Sequence, residues 1–469
     1  MRSSDRTANP AAAAVRGILS LIPGLLLPHI LQAQVAQFSI PPSSIIPNYN
    51  RIGIGQREAL EGGAYVARTD DALANWYNPA GLVSSEKTAL NASSNMYELT
   101  KTTLNGIGQK NSSTKFSPVG GYFGIVVGAP IAKNPRLRFG FGYTKPIAWS
   151  PSTLDGAFTL PAGGATEAFG YNSTVSFGTE IPSLNGAYRL SEKIRVGVGV
   201  GYGITDLNQN QTINDRLVLP TGVTTALRTF STDGSAHHLL LTAGAQWDIA
   251  RAFTVGATVT SPGLRIGGSS KVKFSRTLFQ AGGAEDDLAF RDPDAKFDFK
   301  VPLRATAGAT FRYSRGQVEL DVRYHAAEDE YEMFSSDSTG VEITTDPSGT
   351  PTITTPAFTP VLNQARSIVS VALGANFSLS PGFRLHAGFF TDPSPVSAPS
   401  QSVFRAVDLT GASGGVSVGS GNLTASLGIL SSWGTTSERA IGPSLGGLEA
   451  NTDVSVQTFT GLYSISFTF

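Results

Sequence analysis

A two-residue rhythm of apolar and polar side chains recurs along this chain from about Thr88 to its last residue, Phe469. The clearest example runs from Ile194 to Thr205, where alternate positions hold Ile, Val or Tyr and the positions between them hold mostly Gly. Successive side chains of a β-strand point to opposite faces, so each such segment forms a ribbon that is apolar on one side only. A soluble antiparallel sheet explains one ribbon of this kind. The long series instead favours a closed barrel with lipid outside and a polar lumen inside.

One ribbon carries charges on its polar face. Glu319, Asp321 and Arg323 alternate there with Val and Leu. Charges in a dry core need partners, whereas a water-filled lumen accommodates them. We therefore predict an all-β fold, a transmembrane antiparallel β-barrel.

The composition agrees with a barrel. The chain has 35 basic and 35 acidic residues, so no strong field is present to recruit nucleic acid. Its mean hydropathy is near zero, as expected when only alternate residues meet lipid. Cysteine is absent, which excludes disulfides and thiol-based metal sites.

The N-terminus has the layout of a secretory signal peptide. An arginine-containing start is followed by an apolar run, Gly17–Leu31, that two prolines interrupt. An N-terminal membrane anchor is the alternative, but the run is short for a membrane span. We assign residues 1–33 to the signal peptide, with cleavage after Ala33 or Ala36. An exported barrel without a spanning helix is expected in the cell outer membrane.

The connections between ribbons predict the number of strands. Very short connections alternate with long polar stretches, as in outer-membrane barrels with short periplasmic turns and long outer loops. The ribbons between them number about fourteen, and bacterial single-chain barrels have an even number. We assign residues 87–469 to the barrel. Trp149 and Trp433 are expected at the outer rim and Trp247 at the inner rim, where interfacial aromatic residues lie.

This location implies several partners. We expect contacts with the lipid bilayer and with lipopolysaccharide, and a monomeric barrel. The aromatic C-terminus, Phe469, resembles the signal by which the outer-membrane barrel assembly machinery recognises its clients. No nucleic-acid partner is expected.

Residues 34–86 precede the barrel and lack the strand rhythm. Asp70 or Asp71 can cap a short helix that Pro79 and Gly81 then end. A segment of this length most economically folds inside a wide barrel as a plug. A periplasmic tail is the alternative.

This segment resembles the hatch of the FadL family of outer-membrane transporters, which includes long-chain fatty acid and TodX-type toluene transporters. The similar stretch is EGGAYVARTDDALANWYNPAGL, Glu61–Leu82. Two further stretches, Arg136–Trp149 and Phe389–Pro399, are similar to a strand and a loop of that family. The resemblance implies a fourteen-stranded barrel with an N-terminal hatch that passes hydrophobic molecules without energy input. Cargo would enter from outside, occupy a lumenal pocket and leave sideways through a gap in the wall.

The resemblance and the strand phases together give candidate site residues. The hatch and gating residues are Asp70, Asp71, Asn78, Pro79, Ala80 and Gly81. The lateral opening is expected at Gly140, Gly142 and Pro146, because a proline cannot donate a ladder hydrogen bond, although Pro146 could simply end its strand. Lumenal ligand-binding candidates, all on the inward phase, are Arg138, Arg195, Arg304, Arg312 and Arg384. Each could bind a carboxylate, or could pair with lumenal or hatch acids.

Enzymatic interpretations find little support in the sequence. Gly411–Gly415 fits a G-x-S-x-G pattern but leads into a strand, whereas a nucleophile elbow needs a following helix. His325 and His386 are expected to face the lumen without an evident acidic or serine partner. No catalytic residue, metal site or cofactor is predicted. The alternative to a hydrophobic-compound transporter is a general porin or a surface-exposed structural or adhesive barrel.

Overall fold

The computed structural model describes residues 45–50, 53–55, 57–85, 87–105, 111–127, 134–149, 154–162, 165–397, 404–439 and 451–469. The expected signal peptide, residues 1–33, and its cleavage site lie outside these ranges. The described chain is almost entirely β-strand. The strands are β1 (Ala89–Asn105), β2 (Asn111–Val127), β3 (Leu137–Trp149), β4 (Leu154–Ala162), β5 (Ala165–Arg189), β6 (Ile194–Leu219), β7 (Gly222–Ala250), β8 (Phe253–Thr260), β9 (Leu264–Phe279), β10 (Glu285–Phe297), β11 (Arg304–Tyr313), β12 (Gly316–His325), β13 (Glu328–Ser335), β14 (Val341–Thr345), β15 (Pro351–Thr354), β16 (Val361–Ala365), β17 (Ile368–Ser380), β18 (Phe383–Asp392), β19 (Leu409–Ser420), β20 (Leu423–Arg439) and β21 (Asn451–Thr468).

Fourteen of these strands pair into a closed antiparallel ring. Their order around the wall is β1, β2, β3, β5, β6, β7, β8, β11, β12, β17, β18, β19, β20 and β21. The last strand returns to the first, where Thr468 faces Ala89, so the ring has no open edge. The predicted fold class and strand number are confirmed.

The two faces of the wall differ as the sequence rhythm predicted. Apolar side chains such as Val198 and Leu184 are exposed on the outside, whereas Glu319 and Asp321 are buried on the lumenal side. A closed wall pairs its backbone polar groups internally, so this barrel can cross the bacterial outer membrane. Within the described ranges, no helix is long and apolar enough to cross a membrane.

Three strands continue far beyond the membrane on the side of the long loops. β5, β6 and β7 have 25, 26 and 29 residues, whereas about 9–11 suffice for a transmembrane strand. β9 pairs with the upper part of β7, and β10 pairs with β9. Inside this extension, aromatic residues such as Phe177, Phe299 and Phe404 form an apolar cluster.

The expected position of one tryptophan is wrong. Trp149 is buried within the apolar cluster of the outer extension and does not face lipid. The extension supplies an apolar interior above the membrane, which an alternation pattern does not distinguish from the lipid face. Trp247 and Trp433 are exposed on the barrel surface.

In the described parts of the N-terminal segment (residues 45–50, 53–55 and 57–85), the helices are short. These are α1 (Arg57–Leu60), α2 (Ala74–Tyr77) and a 3₁₀-helix (Pro79–Ser84). Helix α2 begins later than the sequence indicated, because Asp71 accepts a hydrogen bond from the Leu73 amide and holds a turn before the helix. It ends at Tyr77 as expected, since Asn78 is extended ahead of Pro79.

Candidate functional site

The N-terminal segment runs through the barrel lumen. At the end with the long loops, the Asn48 side chain donates hydrogen bonds to the carbonyls of Asp392 (2.7 Å) and Val407 (3.0 Å). At the end with short turns, Arg195 donates to Ser84 at 3.0 Å. The segment therefore spans the lumen from the outer end to the periplasmic end before β1 begins.

A belt of wall glycines lets this segment approach the strands closely. At each of these glycines an added Cβ atom would collide with the segment: Gly197, Gly244, Gly256, Gly308, Gly374 and Gly388. They form three directly paired positions, on β6 and β7, on β8 and β11, and on β17 and β18. At Gly256 the Cβ would lie 2.5 Å from the Val66 carbonyl oxygen. The wall thus holds the segment at close range, and at Gly197, Gly256, Gly374 and Gly388 the nearest atom of the segment belongs to its backbone.

A buried charge network joins the segment to the wall. Arg68 forms an ion pair with Glu61 and donates to Glu319 at 2.7 Å, and all three side chains are at most 2% exposed. Glu61 also accepts a hydrogen bond from Asn376 (3.0 Å) and contacts His386 (2.6 Å). Burial alone would raise the pKa of Glu61, but Arg68 and His386 outweigh it and lower that pKa to about 2. Arg68 and His386 therefore favour the ionised form of Glu61 inside the barrel.

The lumenal acids found in the sequence bind backbone of the same segment. Asp321 accepts from the Tyr65 amide at 2.9 Å, and Glu319 accepts from the Ala67 amide at 2.7 Å. Arg323, the third charge of the ribbon, donates to the Gly63 carbonyl. The charged triplet is thus an attachment surface for the N-terminal segment.

His386 has partners that the sequence did not reveal. Its Nδ1 lies 2.6 Å from Glu61 and its Nε2 lies 2.8 Å from Ser417, the order of groups found in hydrolase triads. Two cavities lie in the lumen beside α2, and His386 and Ser417 line neither of them. Glu61 also pairs with Arg68. We assign this arrangement a structural role that links β18 and β19 to the segment. Ser413 of the G-x-S-x-G pattern lies within β19 and accepts from the Gly62 amide.

The Asn-Pro-Ala-Gly motif forms a fully buried corner. Asn78 donates to the carbonyls of Val66 (2.9 Å), Ala245 (3.0 Å) and Ala257 (3.3 Å), and it accepts from the Ala80 amide. One amide side chain therefore connects the segment to two strands and caps the 3₁₀-helix. The neighbouring motif residues complete the corner: Pro79 and Ala80 lie against Gly197, and Gly81 lies against Thr69.

The acidic pair lies away from this corner. Asp70 accepts from Tyr65 at 2.6 Å and from Arg57 at 2.7 Å. Asp71 holds the turn before α2 and lies 3.6 Å from Arg57. Both carboxylates therefore organise the segment itself and not the wall.

A cavity lies in the lumen beside α2, lined by residues of the N-terminal segment and of several wall strands. Its apolar lining includes Trp76, Ile147, Ile181, Leu240 and Phe299. Its polar lining includes Asn75, Asn185, Thr242, Arg304 and His325. Apolar walls with a few polar groups suit a hydrophobic ligand whose orientation is fixed at one end.

Of the five inward arginines, only Arg304 lines this cavity. Its guanidinium lies 4.2 Å from the centre of the Trp76 ring and 3.3 Å from the Thr260 hydroxyl. Among the described residues it has no carboxylate within ion-pair distance. The other four are held elsewhere: Arg138 by the Ser85 carbonyl, Arg195 by Asp248, Arg312 by Thr254 and Arg384 by Ser378.

Strand pairing is interrupted at two places in the wall beside the cavity. The β3–β5 ladder shifts register between Thr144 and Ile147, so Pro146 lies in a bulge. The β5–β6 ladder has no pair at Ile181 or Pro182. Val200, an outward residue of β6 that is 40% exposed, is also among the residues that line the cavity, so the cavity borders this part of the wall.

The remaining candidates for the opening lie lower on β3. At both Gly140 and Gly142 an added Cβ would collide with Asn75 of the segment. Asn75 also donates to the Phe141 carbonyl at 3.1 Å. These glycines therefore give α2 its contact with the wall, and of the three candidates only Pro146 borders the cavity.

One cavity residue and one residue of the wall beside the cavity were missed, although the sequence carried a signal for each. Trp76, which lines the cavity, lies two positions before Asn78 in the resembling stretch. Pro182 interrupts an alternating ribbon just as Pro146 does.

Comparison with known proteins bears on the fold. No protein-family model matches the sequence, and neither does a curated protein sequence. The monoaromatic hydrocarbon channel CymD matches with a TM-score of 0.54 and 15% identity, over 90% of this chain and 99% of its own. The toluene transporter TodX of Pseudomonas putida matches with a TM-score of 0.54 and 13% identity, over 92% and 100%. A FadL homologue of Pseudomonas aeruginosa matches with a TM-score of 0.53 and 14% identity, over 92% and 100%. The chain has the fold of these proteins along nearly their whole length.

Proposed function

We propose that this protein is a passive channel through which hydrophobic compounds cross the outer membrane. The observation that carries the proposal is the apolar lumenal cavity, whose lining includes Val200 of the wall. The shared fold with a monoaromatic hydrocarbon channel and a toluene transporter supports the same class of cargo. We assign no catalytic role to the barrel. Monomeric state and delivery by the assembly machinery stay predictions.

The N-terminal segment would act as the hatch, within the proposed range 34–86. It spans the lumen, and its contacts with the wall glycines and with the charge network leave little room for polar solutes. This supports a hatched channel over a general porin or an adhesive barrel. We assign gating to Asp70, Asp71, Asn78, Pro79, Ala80 and Gly81.

The preferred cargo would have an apolar body and an anionic head, as a long-chain fatty acid has. Arg304 is a half-buried cation without a carboxylate partner among the described residues, and a ligand carboxylate would complete it. Trp76 and the aliphatic lining would contact the chain. An aromatic hydrocarbon would use the lining alone.

Arg304→Gln is expected to weaken fatty-acid binding by about ten- to a hundredfold, because it removes a charge-assisted hydrogen bond from a desolvated site. Binding of an alkane of the same length should not change. The measurement is titration of detergent-purified protein with each ligand. Arg312→Gln, on the same strand but outside the cavity, is the matched control. Equal losses for the acid and the alkane would contradict a carboxylate site at Arg304.

The exit would lie in the wall segment formed by β3, β5 and β6. Pro146 and Pro182 leave few ladder bonds to break there, and an apolar molecule that leaves sideways avoids water. Gly140 and Gly142 would contribute through Asn75, since movement of the segment would withdraw Asn75 from that part of the wall.

A disulfide across β5 and β6 is expected to stop uptake. Ser183 and Gly201 are direct partners that border the cavity, so Ser183→Cys with Gly201→Cys would close the seam in a chain without other cysteines. Uptake of labelled fatty acid by intact cells should fall by at least about tenfold and recover on reduction. Ser426→Cys with Ser464→Cys bridges a directly paired position on β20 and β21 that does not line the cavity and should leave uptake unchanged. If both disulfides act alike, the exit does not lie at this seam.

A further inference from the structure

The outer sheet above the membrane carries a cationic groove that neither the cavity nor the hatch uses. The groove has a volume of about 760 Å³ and lies across β6, β7, β9 and β10. One row of directly paired, outward residues crosses it: Asn210, Ser231, Lys273 and Arg291. Behind this row the inward side chains Phe230, Phe274 and Phe290 are buried. The row is therefore a fixed part of a sheet with a packed back.

Lys273 and Arg291 are like charges placed directly opposite each other. Such cross-strand pairs are unfavourable. Both side chains are exposed, and neither forms an ion pair with any residue that the structure describes. Lys271, the next outward cation, instead faces Asp233. The excess positive charge is thus concentrated on Lys273 and Arg291, with hydroxyl and amide groups of Ser231 and Asn210 beside them.

The height of the groove indicates what lies next to it. On β7 the exposed apolar positions of the barrel wall end near Leu241, polar outward positions follow from His237 to Thr229, and exposed apolar positions return only at Leu227 and Val223. Ser231 is six residues farther along, or roughly 15 Å higher at the usual rise and tilt of barrel strands. In the outer membrane this level is occupied by the phosphorylated saccharide part of lipopolysaccharide.

We propose that the row formed by Asn210, Ser231, Lys273 and Arg291 is a binding site for a phosphate of lipopolysaccharide. A phosphate between the two cations would convert their repulsion into two charge-assisted hydrogen bonds. The neutral side chains would bind the adjoining sugar hydroxyls. The site is independent of the cargo and of the hatch.

The test uses the full-length protein in detergent with lipopolysaccharide, either phosphorylated or phosphatase-treated. Lys273→Gln with Arg291→Gln is expected to weaken binding of the phosphorylated form by on the order of tenfold. The matched control is Lys193→Gln with Arg251→Gln, which removes two exposed cations at the periplasmic turns and should bind like the unaltered protein. All three proteins should bind the phosphatase-treated form equally weakly.

Stability gives a second readout. Without lipopolysaccharide, the Lys273/Arg291 variant should lose its folded electrophoretic mobility at the same or a higher temperature than the unaltered protein, since repulsion is removed. Addition of lipopolysaccharide should raise this temperature more for the unaltered protein than for the Lys273/Arg291 variant. If the double variant fails to assemble, the same binding measurements are made with the single variant Arg291→Gln. Equal affinities of variant and control, or equal binding of both forms of lipopolysaccharide by the unaltered protein, would overturn the proposal.

Discussion

Replacement of Arg68 by Met is expected to release the N-terminal segment from the wall while the barrel stays assembled. The substitution removes the guanidinium between Glu61 and Glu319, both of which are fully buried. Loss of one partner from a buried ion pair costs about 3–5 kcal/mol. This is enough to shift a closed segment toward open states by a factor of about a hundred or more. Conductance in planar bilayers should therefore rise sharply.

A control and a rescue define the cause of this opening. Lys296→Met removes a cation of the outer sheet whose side chain is 67% exposed and whose partner Asp337 is 96% exposed, so conductance should change little. Adding Glu61→Gln and Glu319→Gln to Arg68→Met removes the stranded charges and should reduce the conductance again. If Arg68→Met alone conducts like the unaltered protein, the charge network does not hold the segment closed.

Substitution of Gly256 by Val is expected to have a comparable effect by a steric route. Its Cβ would lie 2.5 Å from the Val66 carbonyl oxygen and 2.6 Å from the Ala67 Cα atom. Both are backbone atoms, so the segment has to move as a whole, and overpacking of this kind costs about 1–3 kcal/mol or more. Conductance should rise, and protease should cleave the segment faster in the folded barrel.

Gly461→Val is the matched control for this substitution. It also introduces Val for Gly in a barrel strand, but an added Cβ at Gly461 has no atom within 4 Å. Its conductance and protease resistance should match those of the unaltered protein. If the two variants behave alike, close contact at Gly256 does not set the position of the segment.

The barrel itself could be predicted from the sequence because the information is local. Alternation along β6, for example, assigns Val198 to the outside and Gly197 to the lumen without knowledge of any other strand. Short connections then force neighbouring ribbons to pair. The pattern does not say what covers a face, and for this reason Trp149 was expected among the interfacial aromatic residues of the outer rim although it lies in a protein interior.

The candidate site depends on residues that are far apart in the sequence, which limits its prediction. His386 lies 325 positions from Glu61, and Glu319 lies 251 positions from Arg68. Strand phase identified five inward arginines but could not show that only Arg304 meets an unoccupied space. Which arginine lines the cavity depends on where the N-terminal segment contacts the wall, and the alternation of apolar and polar residues does not predict those contacts.

The shared partners of the charge network have a kinetic consequence. Arg68 serves both Glu61 and Glu319, and Glu61 serves Asn376 and His386 as well. Breaking any one link leaves the others buried and incomplete, so partial detachment is unfavourable and the links break together. Single-molecule traces should then show long silent periods and brief, full-amplitude bursts, with no graded intermediate levels.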